Sequence, residues 1–326
     1  MTASSIAHYN LLEKIGEGGL GEVFRARDTR AGRTIALKVF PTQTADGACP
    51  DALLADARAA ASISHPNIAT LFDVGHADGA CYLAYEFVTG SPLSASMFGG
   101  PMNPLRAIEL CIQIADALAD LEASGIAHGD LRPDTVAVTA KGAAKLLDTG
   151  MWQWTRGGHH RRAAASDPST LLPEAASVVP YLSPEQAVGP DWDSRSDMFS
   201  LATMLYEMVT GRNPFAAATP QDIVVNVIRL KAPPASTIAP DVPPEVDRVL
   251  AKAMAKNLEH RYDSAALFAA ALRAAAAHLA ADAPAAKTVD YMLPVDDRAD
   301  RVPAMVWVAV AVGVALLVVI VYWAMA

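Results

Sequence analysis

The chain reads as an α+β protein of two unequal lobes, a small strand-rich lobe followed by a larger helical one, with a single apolar helix at its C-terminal end. Three observations carry this reading. Residues 9 to about 90 contain short runs of alternating and β-branched residues broken by glycine-containing turns. From about residue 104 the apolar positions recur at helical spacing. Residues 302–326 form a stretch of 25 positions without a charged side chain.

Taken in order, residues 9–15 form a strand that runs into a glycine cluster. Residues 22–27 alternate, 29–33 make a turn, and 34–40 form another strand. The Ala-rich stretch 51–64 predicts a helix that stops before His65-Pro66-Asn67. Short strands follow at 71–74 and 82–88. Long helices are predicted at 105–124 and at 194–210, the latter closed by Gly211, with a β-hairpin at 136–138 and 144–147 between them. Further helices fall at 221–230, 244–255 and 264–281. These elements make one domain over 9–279, its first lobe about 9–90 and its second about 91–279. The polar segment 283–301, with Pro284 and Pro294, reads as a linker. No internal repeat is present.

Charge and cysteine usage narrow the function classes. A net charge of −9 and the lack of any basic face argue against a nucleic-acid partner. Cys49, Cys81 and Cys111 are odd in number and widely spaced, which predicts no metal site and no disulfide framework and fits a reducing compartment. Residues 1–10 lack a basic region followed by an apolar run, so no signal peptide is expected. Residues 302–326, at ~1.5 Å per residue, are long enough to cross a ~30 Å hydrocarbon core as one helix. Trp307 lies near one end, and Tyr322 and Trp323 near the other. Arg298 and Arg301 precede the span, so the N-terminal domain is expected in the cytoplasm at the cytoplasmic membrane, held by a single pass.

The chemistry concentrates in two short runs, His128-Gly129-Asp130-Leu131-Arg132-Pro133-Asp134-Thr135 and Leu147-Asp148-Thr149-Gly150. Two acids at the ends of separate short segments suit phosphoryl transfer, one to orient a hydroxyl nucleophile and one to hold Mg²⁺ on a nucleotide. Upstream, Gly16-Glu17-Gly18-Gly19-Leu20-Gly21-Glu22-Val23 is a glycine-rich GxGxxGxV run. A dinucleotide fingerprint would need a helix after the glycines; here a β-hairpin follows and ends in Ala36-Leu37-Lys38. That order points to a flap over phosphates with a strand-borne lysine beneath it.

Together with His65-Pro66-Asn67, Tyr181-Leu182-Ser183-Pro184-Glu185-Gln186 and Ser196-Asp197-Met198-Phe199-Ser200, these motifs in this order resemble the protein-kinase family. Within it, the chain is most similar to bacterial membrane-anchored serine/threonine kinases of the eukaryotic-like type. The resemblance covers about residues 9–279 and implies the two-lobed protein-kinase fold. It implies that Gly16, Gly18, Gly21 and Val23 cover ATP, that Ala36 and Ala137 contact the adenine, and that Lys38 holds the α- and β-phosphates. Glu86 to Val88 would form the hinge against the adenine edge, with Tyr85 before it. Asp130 would orient the substrate hydroxyl, Arg132 would place positive charge near the γ-phosphate, and Asp148 with Thr135 would hold Mg²⁺ or Mn²⁺. Glu185 would pair with Arg261, and Asp197 would tether the catalytic-loop backbone.

Several positions depart from the family pattern. The helix acid that should pair with Lys38 is Asp56, one methylene shorter than glutamate, so the pair requires the helix to move inward. Thr135 replaces an asparagine. Gly129 replaces the arginine before the catalytic acid, the usual partner of a phosphorylated activation loop. Thr149 and Ala60 replace larger apolar residues, which predicts a thin stack beside Leu71 and His128. Val178 stands where a hydroxyl normally bonds the catalytic acid. In the segment between Asp148 and Glu185, the basic run His159-His160-Arg161-Arg162 reads as solvated. The expectation is a membrane-anchored serine/threonine kinase acting on a protein substrate, alone or beside membrane proteins. The alternative is a weak or inactive pseudokinase that binds nucleotide and serves as a docking scaffold.

Overall fold

A computed structural model of the protein describes residues 5–18, 21–41 and 49–282. The predicted linker 283–301 and membrane span 302–326 lie outside the described residues. Among the described residues, no helix is long and apolar enough to cross a membrane.

The small lobe is a six-stranded antiparallel sheet in the order β1-β2-β3-β4-β6-β5. Its strands are β1 (Ser5–Ile6), β2 (Tyr9–Gly18), β3 (Gly21–Asp28), β4 (Arg33–Pro41), β5 (Leu71–Ala77) and β6 (Ala80–Glu86). In β3 the period of two is plain: Phe24, Ala26 and Asp28 are buried and their neighbours are not. The inner strand β6 is buried from Cys81 to Tyr85, as a strand covered on both faces must be. Helix α1 (Asp51–Ala61) lays Leu53, Ala57 and Ala60 against one face of this sheet, where they meet Leu71, Leu83 and Tyr85.

Strand β7 (Gly90–Pro92) and α2 (Leu93–Met97) lead to the larger lobe. Its long α3 (Pro104–Ala123) starts at an Asn103 cap that accepts the Arg106 amide. The apolar stripe of α3, including Ile108, Ile114, Leu118 and Leu121, is buried, each side chain contributing about 1.5–3 kcal/mol. The predicted hairpin is β8 (Val136–Thr139) paired with β9 (Ala144–Leu146), in register Val136 to Leu146. Helix α4 (Arg156–Ser166) follows, in a segment to which the sequence reading assigns no helix. Then come α5 (Pro184–Val188), α6 (Arg195–Thr210), α7 (Pro220–Arg229), α8 (Pro244–Ala253) and α9 (Ala265–Asp282). Helix α6 is buried along nearly its whole length and ends at Gly211, so it forms the centre of the lobe.

Asn67 joins the two lobes. Its amide donates to Ala144 O at 2.7 Å and to Gln113 Oε1 at 3.1 Å, and its backbone carbonyl accepts the Leu146 amide. Residues that follow α1 are thereby stitched to β9 and α3.

The cysteines depart from the pattern expected of them. Cys49 and Cys81 are joined as a disulfide with their Cα atoms 5.6 Å apart, despite 32 residues of separation. Central strand β6 carries Cys81 to the point where the chain enters α1, a long-range pairing that spacing alone cannot reveal. The argument for a reducing compartment from unpaired cysteines therefore falls, and only Cys111, buried in α3, is free among the described residues.

Glu185 and Arg261 form a bidentate pair at 2.6 and 2.7 Å, and the Arg261 side chain is fully buried. Burial works to raise the Glu185 pKa, but the Arg261 guanidinium and Ser196 hydroxyl hold it below the ordinary glutamate range. Glu185→Gln leaves a buried guanidinium without its counter-charge. Chemical unfolding should show a loss of about 3–5 kcal/mol; an unmoved midpoint would mean the pair is dispensable.

Candidate active site

Between β3, β4 and β6 on one side and β8 and the residues that follow β9 on the other lies a cavity of about 710 Å³. The period of β4 explains its wall. Ile35 and Leu37 are fully buried in the sheet's own core, so Ala36 and Lys38 face the other way, and both line the cavity. Gly16, Val23, Ala137 and Leu147 add small and apolar surface. Glu86, Phe87 and Val88 also line it. The Glu86 carboxylate itself is committed to Lys145 Nζ at 2.7 Å and the Thr70 amide at 3.3 Å. Gly18 and Gly21 pair at the tip of the β2–β3 hairpin, and Gly21 is not part of the lining. Gly21 has φ 142°, and a Cβ there would come within 2.5 Å of Val39 O, so the tip requires glycine.

The polar end of the cavity holds Lys38, Asp148, Thr135 and Arg132. Lys38 Nζ is hydrogen-bonded to Asp148 Oδ1 in a buried ion pair. Asp148 has φ 58°, a left-handed conformation that costs a non-glycine residue of order 1 kcal/mol and is retained only where neighbours hold it. The Thr135 hydroxyl accepts the Arg132 amide and donates back to the Asp130 or Arg132 carbonyl, which leaves one lone pair for a further partner. Among the described residues, no group of three or more His, Cys, Asp or Glu side chains could hold a metal unaided. Asp148 and Thr135 suit a hard cation whose remaining ligands come from phosphate and water.

Asp130 is 6% exposed and stands beside the main cavity, lining a small cleft with Gly129 and Arg132. Burial raises its pKa, against the opposing pull of Arg132, Thr155 and His128. Arg132 Nε donates to Asp130 Oδ1 at 3.3 Å and Arg132 Nη1 to Asp134 Oδ2 at 2.6 Å, while Asp130 Oδ2 lacks a hydrogen-bond partner. The loop that carries Asp130 is held by Asp197, whose two carboxylate oxygens accept the His128 and Gly129 amides at 2.8 Å each. The His128 ring bonds Leu147 O at 3.0 Å, which ties this loop to the Asp148 segment.

The stretch after Asp148 holds what sequence reasoning missed. Asp56 does not reach Lys38; its carboxylate accepts Trp154 Nε1 at 2.9 Å. Met151 is fully buried among Leu53, Ala57, Ala60 and Leu71, so it fills the stack that Thr149 and Ala60 were expected to leave thin. Val178 supplies no hydroxyl to Asp130, but Thr155, 23 residues earlier, bears on the same carboxylate. The basic run is not simply solvated: Arg161 is 4% exposed, with its guanidinium carbon 3.5 Å from the Trp152 ring centre and 4.6 Å from that of Trp192. The available signals were two tryptophans in a supposedly open loop and Thr155 placed to cap α4, where it accepts the Gly158 amide.

Gly129, with φ 74°, leaves room for that arrangement. A Cβ there would lie 2.6 Å from Trp152 and 2.7 Å from Trp192. Gly129→Ala is expected to lower stability by about 1–3 kcal/mol and to change the intrinsic tryptophan emission; a variant indistinguishable from the parent in both would refute the tight fit.

Comparisons with known proteins agree with this layout. The family model described as "Protein kinase domain" matches residues 9–272. Over 266 residues the chain is 35% identical to the serine/threonine-protein kinase PknD of Mycobacterium tuberculosis, covering 80% of this chain and 39% of PknD. Over 305 residues it is 35% identical to the serine/threonine-protein kinase PknB of Mycolicibacterium smegmatis, covering 89% of this chain and 47% of PknB. The chain thus spans less than half the length of these curated relatives. A crystal structure of the Mycobacterium tuberculosis PknI kinase domain superposes with a TM-score of 0.63 at 25% identity, covering 85% of this chain and 98% of that one. On the match across 9–272 and the ordered motifs around one cleft, the chain belongs to the protein kinase family, in its bacterial, eukaryotic-like serine/threonine branch.

Proposed function

We propose that the protein is an ATP-dependent serine/threonine protein kinase that transfers the γ-phosphoryl group of ATP to a hydroxyl of a protein substrate. The observation that carries this is the convergence of Lys38, Asp148, Thr135 and Arg132 at one end of a single cavity, with the Asp130 loop beside them. The volume suits a nucleotide-sized ligand. Val23 and Ala36 on one wall and Ala137 and Leu147 on the other would sandwich the base, with residues 86–88 along its edge. Lys38 would exchange its bond to Asp148 for the α- and β-phosphates. Asp148 and Thr135 would hold Mg²⁺ or Mn²⁺, which would offset the negative charge of the phosphates. Asp130 Oδ2, free of internal partners, would orient the substrate hydroxyl and receive its proton, and Arg132 would stabilise charge on the transferred group.

Membrane anchoring belongs to the same proposal and rests on the uncharged stretch 302–326. It would place the kinase domain on the cytoplasmic face, within a linker's reach of membrane partners.

A second reading, a nucleotide-binding scaffold with little or no transfer activity, draws on a specific arrangement. Lys38 is occupied by Asp148, Asp56 by Trp154, and one carboxylate oxygen of Asp130 by Arg132. These contacts describe a resting state that must rearrange before transfer.

Incubation with radiolabelled ATP and Mg²⁺ or Mn²⁺, beside Asp130→Asn, separates the readings. The kinase reading expects label in the parent and a loss of ~10²-fold or more in the variant; equal label in both defeats it. Trp154→Phe removes the indole N–H and keeps a smaller aromatic ring. Its release of Asp56 toward Lys38 should tighten ATP–Mg²⁺ binding up to about tenfold in calorimetric titration, and unchanged affinity would dismiss the Trp154 contact as a brake.

A further inference from the structure

Position 129 leaves the catalytic loop without a side chain of its own beside two buried acids. Asp130 and Asp197 are each almost wholly buried, and burial raises the pKa of both. Arg161 comes to this spot from α4, roughly 30 residues further along the chain. Its charge and those of both carboxylates act on one another, although among the described residues no ion-pair contact joins them. Burial pushes the Arg161 pKa down to about 10, so it remains a cation at neutral pH. The guanidinium lies over Trp152 and Trp192, whose rings meet edge to face at 5.1 Å, and those two rings fill the space that any Cβ on Gly129 would enter. Arg161 Nη1 is buried with no hydrogen-bond partner. An arginine kept in so dry a place with an unmet donor is held for its charge and its plane, since a neutral side chain would fill the gap with less desolvation.

We propose that Arg161 is a positioning residue of the catalytic loop: held over the rings of Trp152 and Trp192, it brings to Asp130 and Asp197 the positive charge that Gly129 cannot carry. The loop then takes its cation from the activation segment itself, and docking of α4 takes the part that a phosphorylated residue would need an arginine at 129 to play. The inference rests on the kinase reading for its catalytic consequence and on the geometry alone for its effect on the loop.

Two variants separate charge from packing. Arg161→Lys keeps the charge and loses the plane; Arg161→Met keeps apolar bulk against the rings and loses the charge. Full-length parent and variants are compared in phosphotransfer kinetics and in hydrogen–deuterium exchange of the peptide that spans His128 and Gly129. The Met variant should lose up to ~10²-fold in kcat with the KM for ATP little changed, and its loop amides should exchange several-fold faster. The Lys variant should retain most of both properties. A Met variant equal to or better than Lys in both measurements would overturn the proposal and reduce Arg161 to filler. If neither the parent nor any variant transfers phosphate, the kinase reading fails, and loop exchange decides alone: faster in Met than in Lys supports the role, equal exchange refutes it. Should the Met variant fail to unfold cooperatively, Arg161→Gln takes its place with the same expectations.

Discussion

The buried carboxylate of Asp197 is the constraint around which the site is arranged. A charged group without water must have its lone pairs met, and here two consecutive backbone amides, His128 and Gly129, meet them. That demand fixes the backbone just before Asp130 and so aims the catalytic acid. It also brings the His128 ring to Leu147 O, which sets the Asp148 segment against the same loop. Helix α6, which carries Asp197, is buried along nearly its whole length, so the anchor is as rigid as the core of the large lobe. Glu185 and Arg261 brace the Arg195 end of that helix, since Arg261 also donates to the Arg195 carbonyl.

What the sequence made legible was local or tied to a fixed order of motifs. Strand alternation in β3 and β4, the hairpin of β8 and β9, and the helices α3, α6, α7 and α8 each follow from side-chain period and flanking turn residues within one segment. The cavity-lining Lys38, Ala36, Asp148 and Thr135 were found because the family motifs index them. Less legible was whatever depends on two distant segments meeting. Nothing near Cys49 announces Cys81, and nothing near Asp56 announces Trp154. Arg161 sits in a run whose neighbours are charged, and charge usually signals solvent; only its place on α4, over two tryptophans, buries it.

Three departures from the family pattern are answered by the stretch between 151 and 161. Met151 fills volume that Thr149 lacks, Thr155 approaches the acid that Val178 cannot reach, and Arg161 lies where Gly129 offers no side chain. A substitution judged at its own position looks like a loss. Judged by the space and charge it leaves, it is one half of an exchange with another segment. The answering residues all lie in one contiguous segment, so its docking acts on the nucleotide cavity, α1 and the catalytic loop together.

Helix α1 is pinned at both ends. The Cys49–Cys81 bond holds its entry to β6, and the hydrogen bonds of Asn67 hold the residues beyond its exit to β9 and α3. A rod fastened at each end has lost translation and keeps little more than rotation about its long axis. Any approach of Asp56 to Lys38 is therefore a roll measured in degrees, which a single indole N–H on one side of the rod is well placed to oppose.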